Sequence, residues 1–427
     1  MCIFIIKSIY YQIIHKVNKL FQVMKRVVLK FGGTSVGSIE KIQKVANIIK
    51  KRHEEGNEII VIVSAMFGVT NDLKKKSNSV SKNFDSKELD VLLSSGEQIS
   101  SSLLSGAIID LGVKARSWLG WQLPILTDGN HTSSQIINIK TKEILNFISG
   151  RGVAVIAGFQ GVSTDNRITT LGRGGSDLSA VAVAKFFETD SCEIYTDVEG
   201  VLTTDPAIHE KAKKIDKISY EEMLEMSSLG AKVMQPISVQ ASMIDDIPVH
   251  VRSVFSEKAG TTIISQSEID YKNVVTGIAY SKNDAKVTLV GVADKPGIAA
   301  AIFEPFGKNN INIDMVIQTA ASSGKKTDVT FTVKREDLLK TLKLIEKNNQ
   351  YLNYQKIIHD DKVSKVSIIG AGMISHPGVV YKMFSALGSE QINMLAISTS
   401  EIKISVLIQE DMTQKAVKTL HKKFELD

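Results

Sequence analysis

Lys30-Phe31-Gly32-Gly33-Thr34-Ser35 and Gly172-Arg173-Gly174-Gly175-Ser176-Asp177 are glycine-rich stretches that each follow a short apolar run. The runs, Val27-Val28-Leu29 and Ile168-Thr169-Thr170-Leu171, read as strands, and each loop opens a segment that can be helical. Glycine lets the backbone turn sharply and lets phosphate oxygens approach its N–H groups. A helix that begins there points free donors at the same anion. Each loop also carries a fixed cation, Lys30 or Arg173, so the pair reads as a site holding two anionic reactants side by side. The lysine precedes the glycines, so the first loop is not a P-loop, and neither is a GxGxxG dinucleotide turn.

Around these loops, β-type and helical patterns alternate from Met24 to about Phe255. Strands are predicted over 58–64, 154–158 and 192–197, and helices over 38–54, 86–110, 133–148, 176–187 and 219–226. Such alternation predicts an α/β fold with a mostly parallel sheet sandwiched by helices. Ligands then sit beyond the carboxyl ends of the strands, where both loops lie. Residues 256–271 read as a connector.

Beyond the connector lies an internal repeat. Pro296-Gly297-Ile298, Phe303 and Ile311-Asn312-Ile313 recur as Pro377-Gly378-Val379, Phe384 and Ile392-Asn393-Met394, each 81 residues later. Each copy predicts a strand, a helix after Pro-Gly, two more strands and a second helix. Asp294, Asn312, Gln318 and Asn393 are expected at strand–helix junctions, where free backbone donors favour a small carboxylate or amine ligand.

Bulk properties narrow the class. A chain of 427 residues is long enough for two or three domains. Apolar content of 43% with 23% charged residues is that of a globular protein. The net charge of +6 falls to +3 without the first 23 residues, which hold Lys7, Lys16 and Lys19 and no acid. That surplus, without a basic run interleaved with aromatics, gives no reason to expect nucleic acid. Two distant cysteines, Cys2 and Cys192, allow neither a disulfide framework nor zinc spacing and fit a reducing cytoplasm. Cys192 is expected to be a buried, inert thiol. Residues 1–23 are too interrupted to span a bilayer, so they read as a dispensable extension and no membrane partner is expected.

KFGGTSV at Lys30–Val36, SAMFGVTN at Ser64–Asn71, GEQ at Gly96–Gln98 and GRGGSD at Gly172–Asp177 resemble the motifs of aspartate kinases in the amino-acid kinase superfamily. So do TDVEGVLTTDP at Thr196–Pro206 and LGAKV at Leu229–Val233. The likeness runs from Met24 to the C-terminus and implies a kinase domain over 24–258 followed by two ferredoxin-like ACT domains over 272–349 and 350–427. The implied reaction is ATP-dependent phosphorylation of the side-chain carboxylate of L-aspartate, the first step of lysine, threonine, methionine and diaminopimelate biosynthesis. An acceptor carboxylate with a pKa of about 4 is already ionised, so no general base is needed. The site must instead join two anions and spread the charge of the moving phosphoryl group. None of the eight histidines lies in the kinase motifs, which agrees.

The resemblance implies roles. Lys30 stabilises the transferred phosphoryl group and Asp177 orients Lys30. Arg173 holds the α-carboxylate of aspartate with its planar fork. Glu97, expected where a loop enters a helix, holds the α-ammonium. Ser64, Thr70, Gly174, Gly175 and Ser176 line the substrate. Phe31, Gly32, Gly33, Thr196, Asp197, Leu202, Lys232 and Val233 join Lys30 at ATP, whose phosphates carry Mg²⁺; no dedicated metal cluster is visible. Ala207, Leu202, Gln235 and Ile237 depart from the family pattern on the nucleotide side. The ACT pair implies an amino-acid effector, lysine or threonine, held by Asp294, Gly297, Ile298, Asn312, Asp314 and Gln318 in one copy. In the other the residues are His376, Gly378, Val379, Asn393 and Ser398. A homo-oligomer through the ACT edge strands follows. The competing reading is a catalytically impaired amino-acid sensor of the same fold. A kinase–dehydrogenase fusion is not expected, because the chain ends with the repeats.

Overall fold

The computed structural model describes residues 25–231, 233–271, 273–320 and 326–427, so the 1–23 segment and Lys232 lie outside the described residues. The chain forms two compact units. One comprises the residues up to Val201 with Asp216–Tyr220 and Val233–Ile269; the other comprises Leu202–Ile215, Glu221–Lys232 and Asp270–Asp427.

In the first unit, strand Arg26–Phe31 runs through the middle of an eight-stranded sheet, parallel to Glu58–Val63 and to Ser191–Thr196. Val153–Ala157 and Ala115–Trp118 extend one side in parallel. Val249–Ser253 extends the other; Thr261–Ile264 pairs with it antiparallel, and Lys217–Ser219 closes that edge. Runs such as Glu58-Ile-Ile-Val-Ile-Val63 are buried on both faces, as parallel strands under helices must be. Ile42, Val45 and Ile49 of helix Ile39–Glu54 and Leu104 and Ile108 of helix Ser86–Asp110 share a core with Leu29, Phe31 and Val61. The alternate residues Val28, Ile60 and Ile62 are equally buried, and helix Gly175–Phe186 contacts the same central strand. Cys192 is free and fully buried, and burial pushes its thiol pKa up.

A second, four-stranded sheet runs in the order Ile136–Ile139, Ile125–Thr127, Gln160–Val162, Ile168–Thr170. It corrects the helix predicted over 133–148. Branched Ile136 and Ile139 pair antiparallel with Ile125–Thr127, and only then does helix Lys142–Ser149 begin, burying Ile144 and Ile148 at four-residue spacing. The helix predicted from 219 likewise starts at Tyr220, because Ser219 ends strand Lys217–Ser219.

The second unit carries a six-stranded antiparallel sheet. Its order is Ile313–Ala320, Lys326–Lys334, Gly277–Ala293, Lys356–Ile369, Lys403–Gln409, Ala396–Thr399. The two repeats join where Gly277–Ala293 pairs with Lys356–Ile369, so they share one sheet. Each keeps its own core. Ile298, Ile302, Phe306 and Ile311 pack on Phe331 in the first, and Val379, Met383 and Ile392 pack on Val406 in the second. Gln318 lies inside strand Ile313–Ala320, not at a strand–helix junction as expected, because branched and apolar neighbours carry the strand through it. Among the described residues, no helix is long and apolar enough to cross a membrane.

Candidate active site

Lys30 is the penultimate residue of the central strand, and Asp177 lies in the first turn of helix Gly175–Phe186. Lys30 Nζ lies 2.5 Å from Asp177 Oδ1, and the residues are 9% and 8% exposed. The contact pairs opposite charges without good hydrogen-bond alignment, since Asp177 Oδ1 has no formal hydrogen-bond partner. It ties the strand of the first glycine loop to the helix of the second.

The two loops differ. After Gly32 the chain turns through Gly33–Gly37, and the helix begins only at Ile39, capped by Ser38. The first loop therefore does not open directly into a helix as expected; Ser38 is the better N-cap and delays the start. A Cβ on Gly33 would sit 2.8 Å from the Ala65 carbonyl oxygen, so only glycine allows this approach. The second loop does open a helix, with Gly174 as N-cap at φ +79°. A Cβ there would meet Gln235 Cγ at 2.4 Å, so Gln235 packs on this loop. Gly175, Ser176 and Asp177 are buried, whereas Arg173 is exposed and has no side-chain partner among the described residues.

Glu97 lies in the middle of the 25-residue helix Ser86–Asp110 rather than where a loop enters a helix. Apolar Leu92-Leu93 and Leu103-Leu104 carry the helix through the serine- and glycine-rich stretch between them. The side chain is 3% exposed, and Oε1 accepts the Ala65 N–H at 3.0 Å. Oε2 is buried without a partner, and burial raises the pKa from 4.5 to about 7. Ala65 thus stands between the first glycine loop and Glu97. Next to it, half-buried Ser64 donates its N–H to Phe31 O at 3.1 Å, and Thr70 lies in the first turn of helix Val69–Val80.

The nucleotide-side residues are divided between the two units. Phe31 is buried and stacks on Tyr195, with ring centroids 4.8 Å apart, and Thr196 Oγ1 donates to Asp197 Oδ1 at 3.1 Å. Val233 is half-buried in the first unit, while Leu202 belongs to the second, in an isolated bridge with Lys214.

Asp90 was not anticipated. It lies fully buried in helix Ser86–Asp110 and accepts from Thr132 N–H and from the Thr170 hydroxyl, while His131 Nδ1 contacts it at 2.6 Å. A Cβ on Gly172 would lie 3.2 Å from Thr132 O, so this cluster backs the second loop. Glu193 was also missed; it accepts from Tyr195 OH and pairs with Arg52, behind the Phe31–Tyr195 stack. An aspartate two turns before GEQ and a glutamate inside an apolar strand were the available signals.

In the repeats, Asp294, Gly297, Ile298 and Gln318 line a depression of about 410 Å³ together with Lys295. Gly297 and Gly378 have φ of +87° and +92° and precede helices that begin at Ile298 and Val379. Asp314 is paired with the buried Lys365. His376 Nδ1 contacts Gly372 O at 2.7 Å; Asn312 and Asn393 are exposed, and Ser398 is half-buried in edge strand Ala396–Thr399.

Residues 25–253 match the model of the amino acid kinase family, and 286–350 and 366–424 match ACT domains. The chain is 45% identical over 406 residues to the aspartokinase of Pseudomonas aeruginosa, covering 95% of this chain and 98% of that one. The chain belongs to the aspartokinases. Among solved structures, the aspartate kinase of Synechocystis is 38% identical, with TM-score 0.53, covering 93% of this chain and 69% of that one. E. coli aspartokinase III, solved with aspartate and ADP, has TM-score 0.78 at 24% identity, covers 94% of this chain and all of that one, and shares the fold. This aspartokinase therefore couples a phosphotransferase fold to two regulatory-type modules. Its first unit offers a buried cation–carboxylate pair, two glycine loops and an unpaired buried carboxylate, a set suited to joining anions rather than abstracting protons.

Proposed function

We propose that this aspartokinase transfers the terminal phosphoryl group of ATP to the side-chain carboxylate of L-aspartate, giving 4-phospho-L-aspartate, with Lys30 and Asp177 at the centre of the reaction. The buried Lys30–Asp177 pair between two glycine loops carries this reading. Lys30 meets the charge that spreads over the moving phosphoryl oxygens, and Asp177 fixes its direction. ATP supplies the phosphoryl group, and Mg²⁺ arrives on its phosphates. Glycines that admit no Cβ at Gly33 and Gly174, the latter capping helix Gly175–Phe186, fit such a ligand.

At the acceptor, Glu97 Oε2 takes the α-ammonium, Arg173 the α-carboxylate, and Ser64, Thr70, Gly174, Gly175 and Ser176 complete the contacts. Phe31, Gly32, Gly33, Thr196, Asp197, Leu202, Lys232 and Val233 serve the nucleotide. The kinase domain spans 24–258 and the ACT domains 272–349 and 350–427. The protein works in the cytoplasm, supplies lysine and threonine biosynthesis, and is inhibited by an end product; E. coli aspartokinase III has been solved with lysine and aspartate. Edge strands Ile313–Ala320 and Ala396–Thr399 pair with another copy in a homo-oligomer. Purified protein with ATP, Mg²⁺ and L-aspartate in a hydroxamate assay should form acyl phosphate. Product from glutamate or acetylglutamate, with none from aspartate, would refute the assignment.

A further inference from the structure

His209, His421 and Asp427 are distant in sequence but adjacent in the second unit. His209 Nε2 lies 2.8 Å and His421 Nδ1 2.6 Å from the same atom, Asp427 Oδ1. The two imidazole rings are 4.4 Å apart, centroid to centroid. His421 is fully buried in the last turn of helix Thr413–Lys423, and His209 is 9% exposed. Asp427, the last residue, is 31% exposed in its side chain and opens the cluster to solvent.

We propose that these three side chains bind a zinc-class divalent ion, clipping the end of the chain to segment Leu202–Ile215. Two imidazoles and one carboxylate are the donor set that zinc takes when its fourth position is left to water. The three donor atoms already lie within 4.8 Å of one another. Tetrahedral zinc with bonds of about 2.0–2.1 Å sets neighbouring donors roughly 3.3 Å apart. Oδ1 must therefore withdraw by ~0.7 Å at most from its imidazole partners, and the two imidazole nitrogens, within 4.8 Å of each other, must close by up to ~1.5 Å, which the partly exposed Asp427 leaves room for.

The surroundings suit an ion. His421 Nε2 contacts Thr203 Oγ1 at 2.8 Å, and that oxygen also accepts the Lys213 N–H at 3.0 Å. This outer hydrogen bond orients the ring with Nδ1 toward the cluster, as metal-binding histidines require. Lys211 Nζ, 3.7 Å from Asp427 Oδ2, opposes a dication but is mostly exposed and can swing away.

The test uses the full chain, stripped with a chelator and titrated with zinc chloride by calorimetry, and with cobalt chloride by visible absorption. One equivalent of zinc, a rise in Tm and the d–d bands of tetrahedral cobalt are expected. His209→Ala and Asp427→Asn should each weaken zinc at least about tenfold, and Thr203→Val roughly 10–100-fold. Asp427→Asn guards against misfolding, because the side chain is 31% exposed and the variant's far-UV spectrum can be compared directly with the wild type. Zinc affinity unchanged in folded Asp427→Asn, or no zinc bound by the wild-type chain, overturns the proposal and leaves a purely hydrogen-bonded cluster.

Discussion

Glu97 receives the Ala65 amide on one oxygen and buries the other with no partner. Burial raises its pKa from 4.5 to about 7, so the folded chain holds a proton that the unfolded chain releases between those values. The folded state binds more protons there, and its stability falls as pH rises through that window. Over the full window the loss is about 3 kcal/mol. Glu97→Gln removes the titration, so the variant should gain on the wild type by about that amount between pH 5 and pH 8. Urea unfolding of ligand-free protein measures it; an equal difference at both pH values would show that Glu97 is not held as a buried acid.

Lys30 and Asp177 form the buried ion pair at the end of the central strand. Lys30→Ala should lower kcat by about 10²–10³. Asp177→Asn keeps the shape and loses the charge that aims Lys30, so kcat should fall while the KM for ATP moves less. Near-normal turnover in Lys30→Ala would remove that residue from catalysis.

Arg173 is exposed and has no side-chain partner among the described residues, next to Gly174 at the start of helix Gly175–Phe186, a disposition that suits a side chain waiting for a ligand. Losing one member of a buried charge pair costs about 2–5 kcal/mol, and the lower end applies to this exposed side chain. Arg173→Ala should raise the KM for aspartate roughly thirtyfold, the equivalent of ~2 kcal/mol. A comparable rise for ATP and none for aspartate would reverse the assignment.

The central sheet was legible because its strands are continuous apolar runs that no amphipathic helix could bury, such as Ile59–Val63. The repeats were legible because Pro-Gly-Ile and Ile-Asn-Ile recur at one offset. Other features were not. Residues 133–148 hold apolar residues at spacings that suit a helix, and only pairing with Ile125–Thr127 decides for a strand at 136–139. Glu97 looked like a helix start because serines and a glycine precede it, yet packing carries the helix through them. Asp90 and Glu193 stayed hidden because their partners, Thr170 and His131 for one and Arg52 for the other, are 41 to 141 residues away and meet only on folding.

Asp90 offers a test of how the second loop is held. Its carboxylate satisfies a part-buried amide, a buried hydroxyl and a histidine at once. Asp90→Ala leaves these groups without an acceptor and should cost about 3 kcal/mol. The loop at Gly172 then loses its backing, so the KM for aspartate should rise in protein that remains folded. Unchanged urea midpoint and unchanged KM would mean that the cluster neither stabilises nor positions the loop.

The depression beside Asp294 and Gln318 combines a carboxylate with the N-terminus of helix Ile298–Lys308, complementary groups for the amine and carboxylate of one amino acid. Gln318 reaches it from an edge strand, so a ligand there touches the surface on which a second copy would pair. Coupling of about 1–3 kcal/mol between effector and substrate sites corresponds to several-fold to hundredfold inhibition and is reciprocal in binding. Lysine and threonine, titrated singly and together, should raise the Tm and weaken aspartate or ATP binding. Asp294→Ala should blunt both effects while leaving uninhibited turnover intact. If neither amino acid changes Tm or activity in the wild type, regulation through this depression is wrong. If the wild type responds and Asp294→Ala responds equally, the effector sits elsewhere in the repeats.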